Sequence, residues 1–302
     1  PNLPRTVRVT PDGSGDYPDL AAAVASLAPG STILLDEGDY LLPDTLRINK
    51  TLTLLGSGMN LTYLSSSAPD GVLEFTGPGN LVLQGISFNY QGTNWAYVAQ
   101  LTDASFNITD CRFVGGVRDA QAEIGGNGLF LKGSGNGRVA DSRFVLNQHN
   151  GFAIAGQVNV LVENCGFSEN GAHGLGFWED TVGIVRSCTA NNNGAIAFIA
   201  MDQAQVTFED SIATDHANSG AFSAYGSATM TALRNEASGS AFCAFSTNDQ
   251  SQGLFEGNFA HDNLQSGFCS FDQSLLTARN NESYVNGYSG FATQGTSTAT
   301  LE

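Results

Sequence analysis

The stretch Gly151-Phe-Ala-Ile-Ala-Gly-Gln-Val-Asn-Val160-Leu-Val-Glu-Asn-Cys165-Gly-Phe-Ser-Glu-Asn170-Gly-Ala-His173 is followed directly by Gly174-Leu-Gly-Phe-Trp-Glu-Asp-Thr-Val-Gly-Ile-Val-Arg-Ser-Cys-Thr-Ala-Asn-Asn-Asn193-Gly-Ala-Ile196. The two have equal length, and like residues hold like places: Phe152 and Leu175, Val162 and Val185, Cys165 and Cys188, Asn170 and Asn193. Self-similarity at a fixed period marks a repeat architecture. Working outward, the small residues that open each short apolar run are Gly128, Gly151, Gly174, Ala197, Ala221, Ala241, Gly267 and Gly290, with steps of 23, 23, 23, 24, 20, 26 and 23.

Three tracks keep this phase. Leu129, Phe152, Leu175, Phe198, Phe222, Phe242, Phe268 and Phe291 follow the anchors and are predicted to face inward. Val162, Val185, Phe208, Leu233, Phe255 and Ala278 form a second inward row. Asn147, Asn170, Asn193, His216, Asn263 and Asn286 form a polar row, and stacked Asn can hydrogen-bond side chain to side chain while tolerating a left-handed turn. A period of about 23 with several short strands per turn fits a single-stranded right-handed parallel β-helix, each coil about 4.8 Å above the last. It is too short for a propeller blade.

All eight prolines lie at or before Pro78, which leaves a long hydrogen-bonded ladder free of residues that lack a donor. Ahead of it, Leu20, Val24 and Leu27 fall on one helical face that Pro29-Gly30 ends, so a short capping α-helix is expected over the first coil. The resulting organisation is an all-β solenoid domain over 1–302: a strand and cap helix in 1–30, irregular first coils in 31–127 and regular coils in 128–302. No comparable cap is legible at the other end, which suggests a chain that continues or a contact with another subunit.

Lys and Arg total 12 against 29 Asp and Glu, a net charge of −17. That field disfavours nucleic acid and anionic membrane surfaces, and it repels acidic polysaccharides unless a cation such as Ca²⁺ bridges them. No apolar run is long enough for a membrane span.

Val9-Thr-Pro-Asp-Gly-Ser-Gly-Asp-Tyr17, Ala21-Ala-Ala-Val24 and Leu54-Leu-Gly-Ser-Gly-Met59 resemble the opening of pectin methylesterases. Asn150-Gly-Phe152 and Glu163-Asn-Cys-Gly-Phe167, within 128–302, resemble the repeats of mannuronan C5-epimerases and NosD-type periplasmic proteins. The resemblance implies the pectin-lyase-like superfamily of β-helices, an extracellular, cell-surface or periplasmic setting, and a carbohydrate partner. It carries no catalytic residue across. The esterase strand Asp-Phe-Ile-Phe-Gly is absent, and the epimerase Asp-Pro-His-Glu cannot occur where no Pro follows Pro78.

Of the five cysteines, Cys165 and Cys188 share a repeat position, and the same anchors give Cys243 and Cys269 a common position. Parallel Cβ vectors make both pairs poor disulfides, so a ladder of free thiols is expected. Glu163, Arg186, Glu209, Arg234, Glu256 and Arg279 alternate in sign and read as a solvated ion-pair row.

One stripe could carry function. Four residues after the anchors stand Lys132, Ala155, Trp178, Met201, Tyr225, Phe245, Phe271 and Gln294, outward by strand alternation unless the strand bends and the aromatics fill a corner of the core. An outer row of Trp178, Tyr225, Phe245 and Phe271, edged by Glu179, Asp202 and Asp272, suits the apolar faces and hydroxyls of a neutral sugar chain. Glu179 and Asp202 occupy neighbouring coils, at a spacing near that of a retaining glycosidase pair, or they could together hold Ca²⁺. Three functions therefore stand open: a carbohydrate-binding β-helix, a polysaccharide-active hydrolase, lyase or epimerase using these acids, and a purely structural shaft. Should the stripe prove buried, the irregular Gly115–Gly128 segment with Arg118, Asp119 and Glu123 is the next place to look.

Overall fold

From residue 128 onward each coil is a set of short apolar-alternating segments broken by Gly, Asn, Asp and Ser, so the chain extends for three to seven residues and then must turn, whereas two earlier strands, Asn80–Tyr90 and Ser105–Val114, run to 11 and 10 residues. The computed structural model describes residues 3–122 and 124–302. It is a parallel β-solenoid of about 13 turns. Strands stack into a wide sheet of 22 and a narrow sheet of 11, and coil-to-coil pairings are parallel throughout. Among the described residues, antiparallel contacts are confined to Arg118–Asp119 against Ile124–Gly125 and the bridge Ala96↔Val117. The hydrophobic core is one cluster extending from Val7 to Ala278.

The N-terminal cap forms as the pattern requires. Helix α1 spans Leu20–Ser26, Asp19 caps it by accepting the Ala22 N–H at 2.7 Å, and Leu20, Ala23 and Val24 turn onto the first coil. Parallel sheets leave unpaired backbone at a free end, and the helix covers one such end.

The inward aromatic row is present with one change of member. Phe198, Phe222, Phe245, Phe268 and Phe291 stack ring on ring, with centroids 4.8–5.0 Å apart, the strand spacing itself. The register pairs Phe222 with Phe245, so Phe245 is fully buried and Phe242 is not in the row at all. The anchor of that coil is therefore Ala244 rather than Ala241, which restores steps of 23 on both sides. Two apolar pairs three residues apart, Ala241-Phe242 and Ala244-Phe245, compete for one slot, and only the flanking strand register decides between them. Likewise Ala232, not Leu233, stands between Phe208 and Phe255, because one extra residue in the turn near His216 displaces the pattern.

The Asn row is a hydrogen-bonded ladder. Asn147 Nδ2 donates to Asn170 Oδ1, and Asn170 Nδ2 to Asn193 Oδ1, each at 2.9 Å. Asn263 donates likewise to Asn286 at 2.9 Å. His216 and Ser240 hold the two rungs between. A second ladder, Asn235–Asn258–Asn281, continues a turn position that Cys165, Cys188 and Ser211 hold in earlier coils.

Cys111, Cys165 and Cys188 are buried free thiols. Cys243 and Cys269 are not, and here the expected thiol ladder is corrected. They form a disulfide with a Cα–Cα distance of 6.1 Å. Their separation of 26 is one coil plus three residues, so they hold different repeat positions and their Cβ vectors converge instead of running parallel. In the ion-pair row, Arg186 pairs with Glu209. Arg234 pairs with Glu209 and Asp210 from a left-handed turn one residue past the strand, where Leu233 takes the place in the register.

Candidate functional site

The strands of the narrow sheet are three or four residues long, with the first and third residues turned inward and the second outward. The register therefore lines up Arg47, Glu74, Gln100, Phe130, Ala153, Gly176, Ile199, Ser223, Ser246 and Cys269 in one column on the side of the sheet away from the core, and from Ala153 to Cys269 these residues are themselves buried, so the surface there is made by the side chains at the strand ends. The column's chemistry changes along the axis: charged in the early coils, apolar in the middle, hydroxyl-bearing downstream.

The stripe proposed from sequence borders this face in a corrected composition. Trp178, Met201, Tyr225 and Phe271 are half-buried at the strand ends, and Asn248 fills the slot assigned to Phe245, whose ring is in the core. The indole of Trp178 folds back over the Cα of Gly176, with its ring centroid 6.1 Å from that of His173. Burial, together with neighbouring His149, holds His173 down to about 4.

The acidic edge is a column of turns. Glu179, Asp202, Asp249 and Asp272 all take left-handed backbone, with φ of 61°, 59°, 56° and 57°. Asp202 Oδ2 accepts the Glu179 N–H at 3.1 Å, Asp249 the Gly226 N–H at 2.9 Å and Asp272 the Asp249 N–H at 3.3 Å. Glu179 and Asp202 thus stand in neighbouring coils, with one carboxylate already engaged by the backbone. Among the described residues no group of three or more His, Cys, Asp or Glu could hold a metal ion. Two carboxylates supply only part of the six to eight oxygens Ca²⁺ takes.

The upstream end holds a cleft of about 410 Å³ that sequence reasoning missed, lined by Arg47, Asp70, Glu74, Trp95, Tyr97, Gln100, Ile124 and Lys132. Arg47 is clamped between the carboxylates of Asp70 and Glu74. Tyr97 packs against Phe130, with centroids 5.0 Å apart, and Trp95 meets Tyr97 edge to face. The wall is built by the segment before Ala96, pinned through the Ala96↔Val117 bridge to the small hairpin that carries Ile124. The irregular segment named as the second place to look thus contributes Ile124 to a cleft. Glu123 lies outside the described residues. Lys132 is also the first member of the stripe. The other members come from separate coils of the aperiodic region, where no spacing brings them together on paper. The aromatic loop Asn94-Trp-Ala-Tyr97 was the one available signal.

No helix among the described residues is long and apolar enough to cross a membrane. No curated protein sequence matches the chain. Among solved structures, the chain superposes on the periplasmic alginate epimerase AlgG with a TM-score of 0.63 at 11% identity, covering 93% of this chain and 83% of that one. For a thermostable GH87 α-1,3-glucanase from Streptomyces thermodiastaticus the values are 0.57, 13%, 99% and 69%. For pectate lyase Pel9A they are 0.51, 18%, 100% and 79%. It spans less than two thirds of other solved chains it matches, 64% and 61%. At such identities the likeness is one of fold. The family model described as "Right handed beta helix region" matches residues 85–246 and 216–302, more than half of the chain. With its in-phase repeats and stacked parallel sheets, the chain belongs to the right-handed β-helix family.

Proposed function

We propose that this chain binds a polysaccharide lengthwise along the outer face of the narrow sheet. The observation that carries the reading is Trp178: its indole covers the bare Cα of Gly176 midway along this column and remains half-buried rather than joining the core. An aromatic platform half-exposed on a rigid strand stacks against a sugar ring at little entropic cost. The edge acids Glu179, Asp202 and Asp272 are acceptors for sugar hydroxyls beside it. Structural relatives with names such as alginate epimerase, α-1,3-glucanase and pectate lyase support a polysaccharide as the partner. The Cys243–Cys269 disulfide favours an oxidising, extracytoplasmic setting.

An enzymatic reading is favoured by one feature, the upstream cleft. Asp70 and Glu74 share the one positive charge of Arg47, whereas Lys132 has no ion-pair partner among the described residues. A cation left unpaired in a strongly acidic protein, facing an aromatic wall, suits a polarised or anionic sugar group. Titration calorimetry against neutral and acidic polysaccharides, with reducing-end and unsaturated-product assays on the same mixtures, tests both readings. Trp178→Ala should weaken binding roughly tenfold, about 1.4 kcal/mol. Turnover that falls with Glu74→Gln or Lys132→Ala places chemistry in the cleft, and turnover that falls with Glu179→Gln places it at the acidic edge. Binding untouched by Trp178→Ala overturns the face as the site.

A further inference from the structure

We propose that the downstream end of the same face carries a second saccharide site, for a neutral sugar ring, which is assembled only while the Cys243–Cys269 disulfide is closed. The inference rests on the reading of the chain as a glycan binder, and it concerns the downstream residues of that face, away from Trp178.

Phe242 is the starting point. It is 52% exposed, and the core slot in its coil belongs to Phe245, so the repeat does not explain it. It lies on the segment that leads into the strand Phe245–Thr247. That segment is held from two sides. Ala241 N–H donates to the carbonyls of His216 (3.0 Å) and Ser219 (3.1 Å), and Phe242 N–H to that of Ser219 (3.3 Å). At its other end Cys243 is bonded to Cys269, the outward residue of the next strand. Gly220 makes room for it, since a Cβ there would come 2.5 Å from the Cys243 carbonyl oxygen. The bond thus ties a chain segment down beside the outer face.

Between them Phe242, Tyr225 and Phe271 wall a groove of about 270 Å³. Its floor is polar. Ser246 Oγ donates to Ser223 Oγ at 2.9 Å, and Asn248 Nδ2 donates to Ser246 Oγ at 3.1 Å and to the Ala224 carbonyl at 3.0 Å. These bonds use up the Asn248 donors and leave the Ser223 hydroxyl proton and Asn248 Oδ1 without a protein partner among the described residues. Both groups belong to side chains more than nine-tenths buried that line the groove. Buried polar groups seek partners. No Asp, Glu, Lys, Arg or His lines the groove. Aromatic walls, one spare donor, one spare acceptor and no formal charge match the faces and hydroxyls of a neutral pyranose.

The test is calorimetry of the full oxidised chain with neutral tetrasaccharides of glucose, mannose and galactose, with circular dichroism to verify folding of each variant. Two sites per chain are expected for the matching sugar. Phe242→Ala, an exposed side chain outside the core, should remove one site or weaken it at least tenfold. The double variant Cys243→Ser/Cys269→Ser should do the same, while Trp178→Ala weakens the other site roughly tenfold. Binding by Phe242→Ala equal to the parent overturns the second site. Loss with Phe242→Ala but full retention in the double serine variant overturns its dependence on the disulfide. A single site weakened only by Trp178→Ala overturns this inference while upholding the binding face, and no binding of any saccharide by the oxidised chain overturns both.

Discussion

The six-membered end of the Trp178 indole lies on Gly176, so that a Cβ at position 176 would run into Cη2 and Cζ3 of the ring. Gly176 has no left-handed backbone to require glycine, and its neighbours along the face are Ala153 and Ile199. The glycine is there for the indole. Gly176→Ala should therefore lift the ring, weaken polysaccharide binding about as much as Trp178→Ala, and leave the unfolding temperature nearly unchanged. The emission of Trp178 in a Trp95→Phe background reports the move, and unchanged emission and affinity would show that the contact does not set the platform.

The polar ladder is interrupted at His216. Neither ring nitrogen of this buried residue makes a well-formed hydrogen bond among the described residues, although the backbone at Ala190, Ala195 and Asn193 lies near enough to favour its charged form, and Ser240 Oγ on the next rung has no partner either. His216→Asn places an amide where Asn170 and Asn193 already show that one is satisfied. Stabilisation of about 1–2 kcal/mol is expected from urea unfolding, since an unmet buried polar group costs about that much. A less stable variant would mean that the imidazole volume matters more than its unmet polar atoms.

Acid should weaken the solenoid through its histidines. Burial lowers the pKa of both His173, to about 4, and His216. The unfolded chain then binds protons more readily than the folded one once the pH drops below the ordinary imidazole value of about 6.5. Stability is complete above that pH and is lost as pH falls towards 4, on the order of 3 kcal/mol for His173 alone. Unfolding temperatures of the parent and of His173→Asn/His216→Asn between pH 7 and 4 check this. The variant should show the flatter profile, and equal slopes would assign the acid sensitivity to carboxylates.

Arg234 holds Glu209 and Asp210 together on the wide sheet, and both carboxyls sit below their ordinary range because of the guanidinium. Arg234→Glu would bring three carboxylates into one exposed cluster. A modest fall in stability is expected, larger at low salt because exposed charges are screened. Glycan affinity should not change, since the binding face is on the other sheet. A large loss of affinity would move the site.

What the sequence by itself determined is whatever the coil repeats. The period of about 23, the inward rows, the Asn ladder and the capping helix were legible because identical neighbours one coil apart make the contact, so spacing and contact carry the same information. Tertiary structure alone decided what departs from that equivalence. Ala241-Phe242 and Ala244-Phe245 are equally good anchors on paper, and pairing of Phe245 with Phe222 and Phe268 selects the second. That three-residue shift changes a presumed thiol pair into the Cys243–Cys269 disulfide and moves Phe245 from the proposed site into the core. The upstream cleft was hidden for a related reason. Arg47, Glu74, Tyr97 and Lys132 meet only because coils of unequal length stack in register, and in the aperiodic coils distance along the chain says nothing about distance across the sheet.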